Sequence, residues 1–213
     1  MLWMYAVSAL CLFVCLPFFL YYKKNLHDKL ATAFKVLGTL CAASLALIAA
    51  IRLDQHCWIC FAALFLHAVA DFFLEYNLYL GAGIFLAGHI CYICYFTKIC
   101  PVSAPHLIAA LVLVGIVVFL FWRWHKQIGK RMPLFAVYGA VLAIMCACAI
   151  ACLSGHTVRG QMIAAGGALF FISDAMLLAR LLFSASRSVD WAIMITYYCA
   201  QLLFGASCLI QIV

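Results

Sequence analysis

Two aspartates stand inside long apolar runs of this chain, Asp71 in ALFLHAVADFFLE and Asp174 in GGALFFISDAM. The 213 residues include only six acidic ones, so a third of them sit where hydrocarbon is expected. An acidic group at the centre of a membrane helix costs roughly 2.5–3.5 kcal/mol on insertion scales, and it persists where it faces a bundle interior or a wet cavity. Two such groups at compatible depths are material for acid–base chemistry, one giving a proton while the other holds a negative charge. A structural role competes with this reading: a helix-to-helix hydrogen bond, or an ion pair with Lys35. For one carboxyl the two readings weigh equally. For two, with several polar partners nearby, the active site is the better reading.

Helical spacing supplies those partners. His67, Asp71 and Glu75 recur every four residues and form one stripe; Phe85, His89, Tyr92 and Phe96 form another. Tyr197 and Gln201 pair in the same way, Ser173 adjoins Asp174, and Gly166 with Gly167 allows close helix approach two turns earlier. Glu75 reads as a marker of the membrane interface. His89 taken alone reads as a satisfied structural donor.

Two other chemistries compete. His67, Asp71, His89 and Asp174 offer mixed N and O ligands for a metal, but the chain has no HxxxH pair, and only His67 with Asp71 puts two strong ligands on one helix. CWIC (Cys57, Cys60) and CYIC (Cys91, Cys94) have redox spacing. With thirteen cysteines, however, CxxC arises by chance, and most of the thiols lie in apolar runs where Cys packs as a small hydrophobe. Neither a metal cofactor nor a disulfide framework is expected.

The elements that must carry these groups follow from composition. Hydrophobic residues make up 70% of the chain and charged ones 9%, against about 25% charged in soluble domains. The expected class is all-α: a polytopic membrane protein folded as one transmembrane domain over residues 1–213. Polar punctuation divides it into eight spans, near 2–22, 30–51, 57–75, 78–97, 105–122, 134–153, 160–183 and 190–212. The first run starts at Met1 with no basic residue before it and Lys23 and Lys24 after it, which reads as a retained anchor. Asp71 and Asp174 both fall on the third helix of a four-helix half, each after an ALF triplet, so a duplicated four-helix unit is a further expectation.

The net charge of +7 reads as loop charge that sets orientation, not as a nucleic-acid footprint. Lys23, Lys24, Lys29, Arg123, Lys126, Lys130, Arg131, Arg180 and Arg187 fall on one side of the eight-span map, and Arg52, Lys98 and Arg159 on the other. The positive-inside rule makes the first side cytoplasmic and puts both termini outside. Asp71, Asp174, Lys35, Tyr197 and Gln201 then lie toward the cytoplasmic leaflet, where they can share one cavity.

At these residues the chain resembles a known family. GGALFFISDAMLLAR followed by ITYYCAQLLF, together with ALFLHAVADFFLE, GIFLAGHICYICYF and, more weakly, FKVLGTL, is similar to the signature of the YhhN-like lysoplasmalogenases, which are eight-span membrane hydrolases. The resemblance covers roughly residues 30–210. Position by position it implies Asp71 and Asp174 as catalytic residues and Lys35, Phe85, His89, Tyr92, Ser173, Tyr198 and Gln201 around the substrate. The chain departs from the family pattern at Val36, where proline is usual after the lysine, and at His67 and Ala70, where serine and glycine are usual.

The resemblance further implies cleavage of the vinyl-ether bond of 1-alkenyl lysophospholipids with an ethanolamine or choline head group. The products are a fatty aldehyde and a glycerophospho-base, and no cofactor is needed. Such a bond opens when its β-carbon is protonated and water captures the resulting oxocarbenium ion. That calls for one protonated and one ionised carboxyl, as glycosidases arrange for a similar cation. The expected partners are a single-tailed lysophospholipid and membrane lipid, and no nucleic acid. A hydrolase of another ether or ester lipid, and a small-solute or proton-coupled transporter, are the alternatives that intramembrane Asp, His and Lys also fit.

Overall fold

In lipid every backbone N–H and C=O must be satisfied within the segment that carries it, so apolar runs of this length fold as helices. The computed structural model describes residues 2–25, 28–183 and 187–210; the last two residues of the eighth expected span, 211 and 212, lie outside the described residues. Helix α1 consists of Leu2–Leu10, a π-helical segment Cys11–Cys15 and Leu16–Lys24. Pro17 has no N–H to give to the carbonyl four residues back. The turn before it widens, and the Leu16 N–H reaches the Cys11 carbonyl, which is the pattern of a π-bulge. The other long helices are α2 (Asp28–Arg52), α3 (Cys57–Phe73), α4 (Leu78–Ile99), α5 (Ala104–Arg123), α6 (Met132–Ala151), α7 (Val158–Phe183) and α8 (Arg187–Ser207).

Each of the eight expected segments holds a helix, the eighth ending at Ser207, short of its expected bound, and among the described residues seven helices are long and apolar enough to cross a membrane. The third is shorter than expected, at 17 residues, or about 26 Å of rise. It ends at Phe73 because the next helix starts close behind: the Asn77 side chain accepts from the N–H groups of Tyr79 and Leu80 at 3.0 and 3.1 Å and so caps α4.

Six helices close into a ring, in the order α2, α3, α4, α6, α7, α8 and back to α2, with α1 laid on α2 and α5 on α6. The first four helices therefore have the same neighbours as the last four, and the halves meet where α4 packs on α6 and α8 on α2. This arrangement puts α3 and α7, the two helices with the intramembrane aspartates, on opposite sides of the ring.

Close approach around α7 depends on its paired glycines. A Cβ at Gly166 would stand 2.7 Å from the Phe204 ring on α8, and one at Gly167 would stand 2.4 Å from the Ala149 Cβ on α6. Because the Ala149 Cβ is fixed to its backbone, Gly167→Ala should destabilise the bundle by about 1–3 kcal/mol, outweighing a helical gain of about 1 kcal/mol. Adding Ala149→Gly should return part of the loss. Thermal unfolding of the three proteins in detergent tests this, and a Gly167→Ala midpoint at or above wild type would refute it.

One end of the ring is shut. There the buried Arg159 of α7 donates to the Tyr95 hydroxyl at 2.7 Å and pairs with Asp54 at 3.3 Å, above a packed layer of Tyr92, Phe96 and Phe204.

Candidate active site

Near the other end, the residue type at each turn decides what the two aspartates meet. Lys35 and Thr39 are one turn apart on α2, and both reach Asp71 on α3. The Lys35 Nζ stands 2.8 Å from Asp71 Oδ1, and the Thr39 hydroxyl donates to Oδ2 at 2.8 Å. From α8 the Tyr197 hydroxyl donates to the same Oδ2 at 2.7 Å, and its ring lies beneath the Lys35 ammonium, 5.6 Å from the centroid. The Asp71 carboxyl is fully buried, while Lys35 keeps 22% of its side chain exposed. A cation with two hydroxyl donors is the partner set of an ionised carboxylate.

Asp174 meets a different environment. Its Oδ2 accepts from the Tyr138 hydroxyl of α6 at 2.5 Å, and among the described residues no Lys or Arg forms an ion pair with it. The Tyr138 oxygen also lies 3.1 Å from His89 Nε2. A phenol has one proton to give; when it goes to Asp174, His89 must donate, which assigns that imidazole as the Nε2–H tautomer. Asp174, Tyr138 and His89 thus form a chain running from α7 through α6 to α4.

Both carboxyls line one cavity of about 370 Å³. It lies at the end of the bundle where α1, α3, α5 and α7 finish and the even-numbered helices begin. Its polar lining includes Lys35, Ser173, Tyr138 and Tyr197; its apolar wall includes Phe85 of α4, Phe121 of α5, Leu142 of α6 and Leu178 of α7. The cavity therefore offers two unlike carboxyls at the head of an apolar slot.

Of the residues named from sequence, Asp71, Asp174, Lys35, Ser173 and Phe85 line the cavity; His89, Tyr92, Tyr198 and Gln201 do not. These last four form a fully buried layer behind it. Gln201 contacts His67 Nδ1 through Nε2 at 2.9 Å and accepts from Tyr92 at 2.9 Å. Tyr198 donates to the Phe34 carbonyl at 3.0 Å and lies 3.3 Å from that of Lys35, which fixes the backbone that carries the lysine. The Ser173 hydroxyl donates to the Ile193 carbonyl at 3.0 Å and ties α7 to α8. His67 fits because Gly88 faces it on α4: a Cβ there would stand 2.3 Å from the imidazole Cδ2.

Tyr138 and Thr39 carry contacts that sequence reasoning missed. Thr39 was legible as the next turn of the Lys35 stripe, whereas nothing in FAVYGAV marks Tyr138. Contact with the Asp71 carboxylate falls to Tyr197, while its neighbour Tyr198 turns toward α2. Glu75 pairs with Lys23 at 3.6 Å. Among the described residues no three His, Cys, Asp or Glu side chains gather as a metal-ligand group. All thirteen cysteines are free thiols.

A model of the YhhN family matches residues 30–208, a stretch that contains both aspartates and every side chain that contacts them. No curated protein and no solved structure matches the chain.

Proposed function

The chain belongs to the YhhN family, and from that premise we propose that it is a lysoplasmalogenase-type hydrolase, opening the vinyl-ether bond of 1-alkenyl lysophospholipids by carboxyl acid–base catalysis. The observation that carries the reading is the pair of unlike carboxyls in one apolar cavity. Asp71, with its lysine and two hydroxyls, is the ionised member; Asp174, with a phenol and no cation, carries the proton. The positive-inside argument puts the cavity on the cytoplasmic leaflet with both termini outside.

In this scheme Asp174 protonates the β-carbon of the alkenyl chain, and the positive charge spreads over the α-carbon and the ether oxygen. The fixed Asp71 carboxylate stabilises that cation in a site of low dielectric. Water adds to the α-carbon and gives one proton to the newly ionised Asp174, which restores the acid. Its other proton stays on the hemiacetal hydroxyl and ends on the glycerol oxygen as the carbon–oxygen bond breaks. Aldehyde and glycerophospho-base leave, and no redox or metal step is required. The apolar slot holds the single tail.

The test is aldehyde release by the purified protein from 1-alkenyl-glycero-3-phosphoethanolamine in D₂O. The reading predicts equal amounts of aldehyde and glycerophosphoethanolamine, with one deuterium on the carbon next to the carbonyl. No release, or aldehyde without that deuterium, would overturn it.

Tyr138 then acts as a positioning residue that aims the acid. Tyr138→Phe should cut kcat by about 10- to 100-fold, below the range for loss of the acid itself, with KM little changed. A KM that rises while kcat holds would instead make Tyr138 a substrate contact.

A further inference from the structure

Four charged side chains that this chemistry leaves unused line the mouth of the same cavity. Lys23 and Glu75 come from the ends of α1 and α3, and Arg180 and Asp190 from the end of α7 and the start of α8. Lys23 stands 2.8 Å from Asp28 and 3.6 Å from Glu75, and Arg180 Nε stands 2.6 Å from Asp190 Oδ1. Partly exposed pairs of this kind add only about 0–1 kcal/mol to stability, so stability alone does not account for two of them at one entrance. Arg180 lines the cavity and meets its carboxylate through Nε, which leaves the terminal nitrogens of its fork outside that ion pair, and a guanidinium fork suits phosphate.

We infer that these two mixed pairs form the subsite for a zwitterionic phosphodiester head group, with its phosphate on Arg180 and Lys23 and its ammonium on Asp190 and Glu75. The inference rests on the proposed reaction, which puts the alkenyl carbons at Asp71 and Asp174. Glu75 follows Asp71 by four residues, just past the end of α3, and Arg180 lies six residues beyond Asp174 within α7, about 9 Å along the axis. In the lipid, the carbon to be protonated and the phosphorus are separated by about seven bonds, roughly 8 Å of extended chain. The mouth therefore stands at the depth of the head group when the reacting bond is at the carboxyls. Two cations set among carboxylates favour a zwitterion over a phosphate monoester, which would meet those carboxylates with no ammonium to offer them.

Equilibrium binding to the full-length protein in nanodiscs tests this with saturated ether lipids that have no bond to hydrolyse. Wild type should bind 1-O-alkyl-glycero-3-phosphocholine at least about tenfold more tightly than 1-O-alkylglycerol or 1-O-alkylglycerol 3-phosphate. In Arg180→Gln the advantage over alkylglycerol should fall toward one. In Glu75→Gln/Asp190→Asn discrimination against the phosphate monoester should shrink. Equal binding of all three lipids by wild type would overturn the subsite, as would equal weakening of phosphocholine and alkylglycerol binding in Arg180→Gln. Aldehyde release from the alkenyl lipid, run in parallel, reports on the reaction by itself. The expected binding order without aldehyde keeps the subsite and removes the hydrolase, whereas hydrolysis with no head-group preference does the reverse.

Discussion

Asp174→Asn should lower the rate of aldehyde release by about 10²–10⁴-fold, the range associated with loss of a general acid, while leaving the fold intact. The substitution keeps the side-chain shape and an oxygen that can still accept from Tyr138, so the link from α6 to α7 survives. It removes the one proton that the scheme delivers to carbon. Because the apolar slot is untouched, KM should change little, and the loss should appear equally in kcat and kcat/KM, as expected of an interaction made only in the transition state. Steady-state kinetics, with thermal unfolding as a control on folding, decides the point. An Asp174→Asn enzyme with wild-type kcat would end the assignment of Asp174 as the acid.

The second large effect concerns stability. Lys35→Met leaves the Asp71 carboxyl buried without its cation, and breaking a buried pair from one side costs about 3–5 kcal/mol. The lysine is the more exposed partner, so the lower part of that range applies. The double variant Lys35→Met/Asp71→Asn should recover most of the stability, because a neutral amide needs no counter-charge and still accepts from Thr39 and Tyr197. It should not recover activity. Unfolding midpoints and aldehyde release measured around this cycle separate a structural pair from a functional one. A double variant that is stable and fully active would show that the pair only braces the bundle.

How far the sequence could be read follows from which physical constraint acts on each residue. The eight helices were legible because lipid forces apolar length on each of them, and only the third, cut short by the Asn77 cap, falls below the length set for crossing a membrane. Asp71, Asp174 and Lys35 were legible because charge in hydrocarbon is conspicuous. Tyr138 and Thr39 were not, since both types are ordinary in membrane helices and their partners lie on other chain segments. Tyr197 and Tyr198 show the limit of spacing arguments. Adjacent residues on a helix point about 100° apart, and only the packing of α8 decides which one reaches the carboxylate. His89, Tyr92 and Gln201 were found by type and stripe, but their place behind the cavity wall depends on helix packing, of which the approach of α3 to α4 is governed by Gly88.

The matched neighbour order of the two halves bears on how acid and base come to differ. Lys35 precedes Asp71 by the same 36 residues that separate Tyr138 from Asp174, on corresponding helices α2 and α6. Sequence register and helix order thus put the two carboxyls at corresponding places in the two halves. The asymmetry resides in the side chains around them: Asp71 meets an ammonium and the hydroxyls of Thr39 and Tyr197, whereas Asp174 meets the Tyr138 phenol. Polarity of the site is therefore written in the few side chains that surround the carboxyls, and not in the order of the helices.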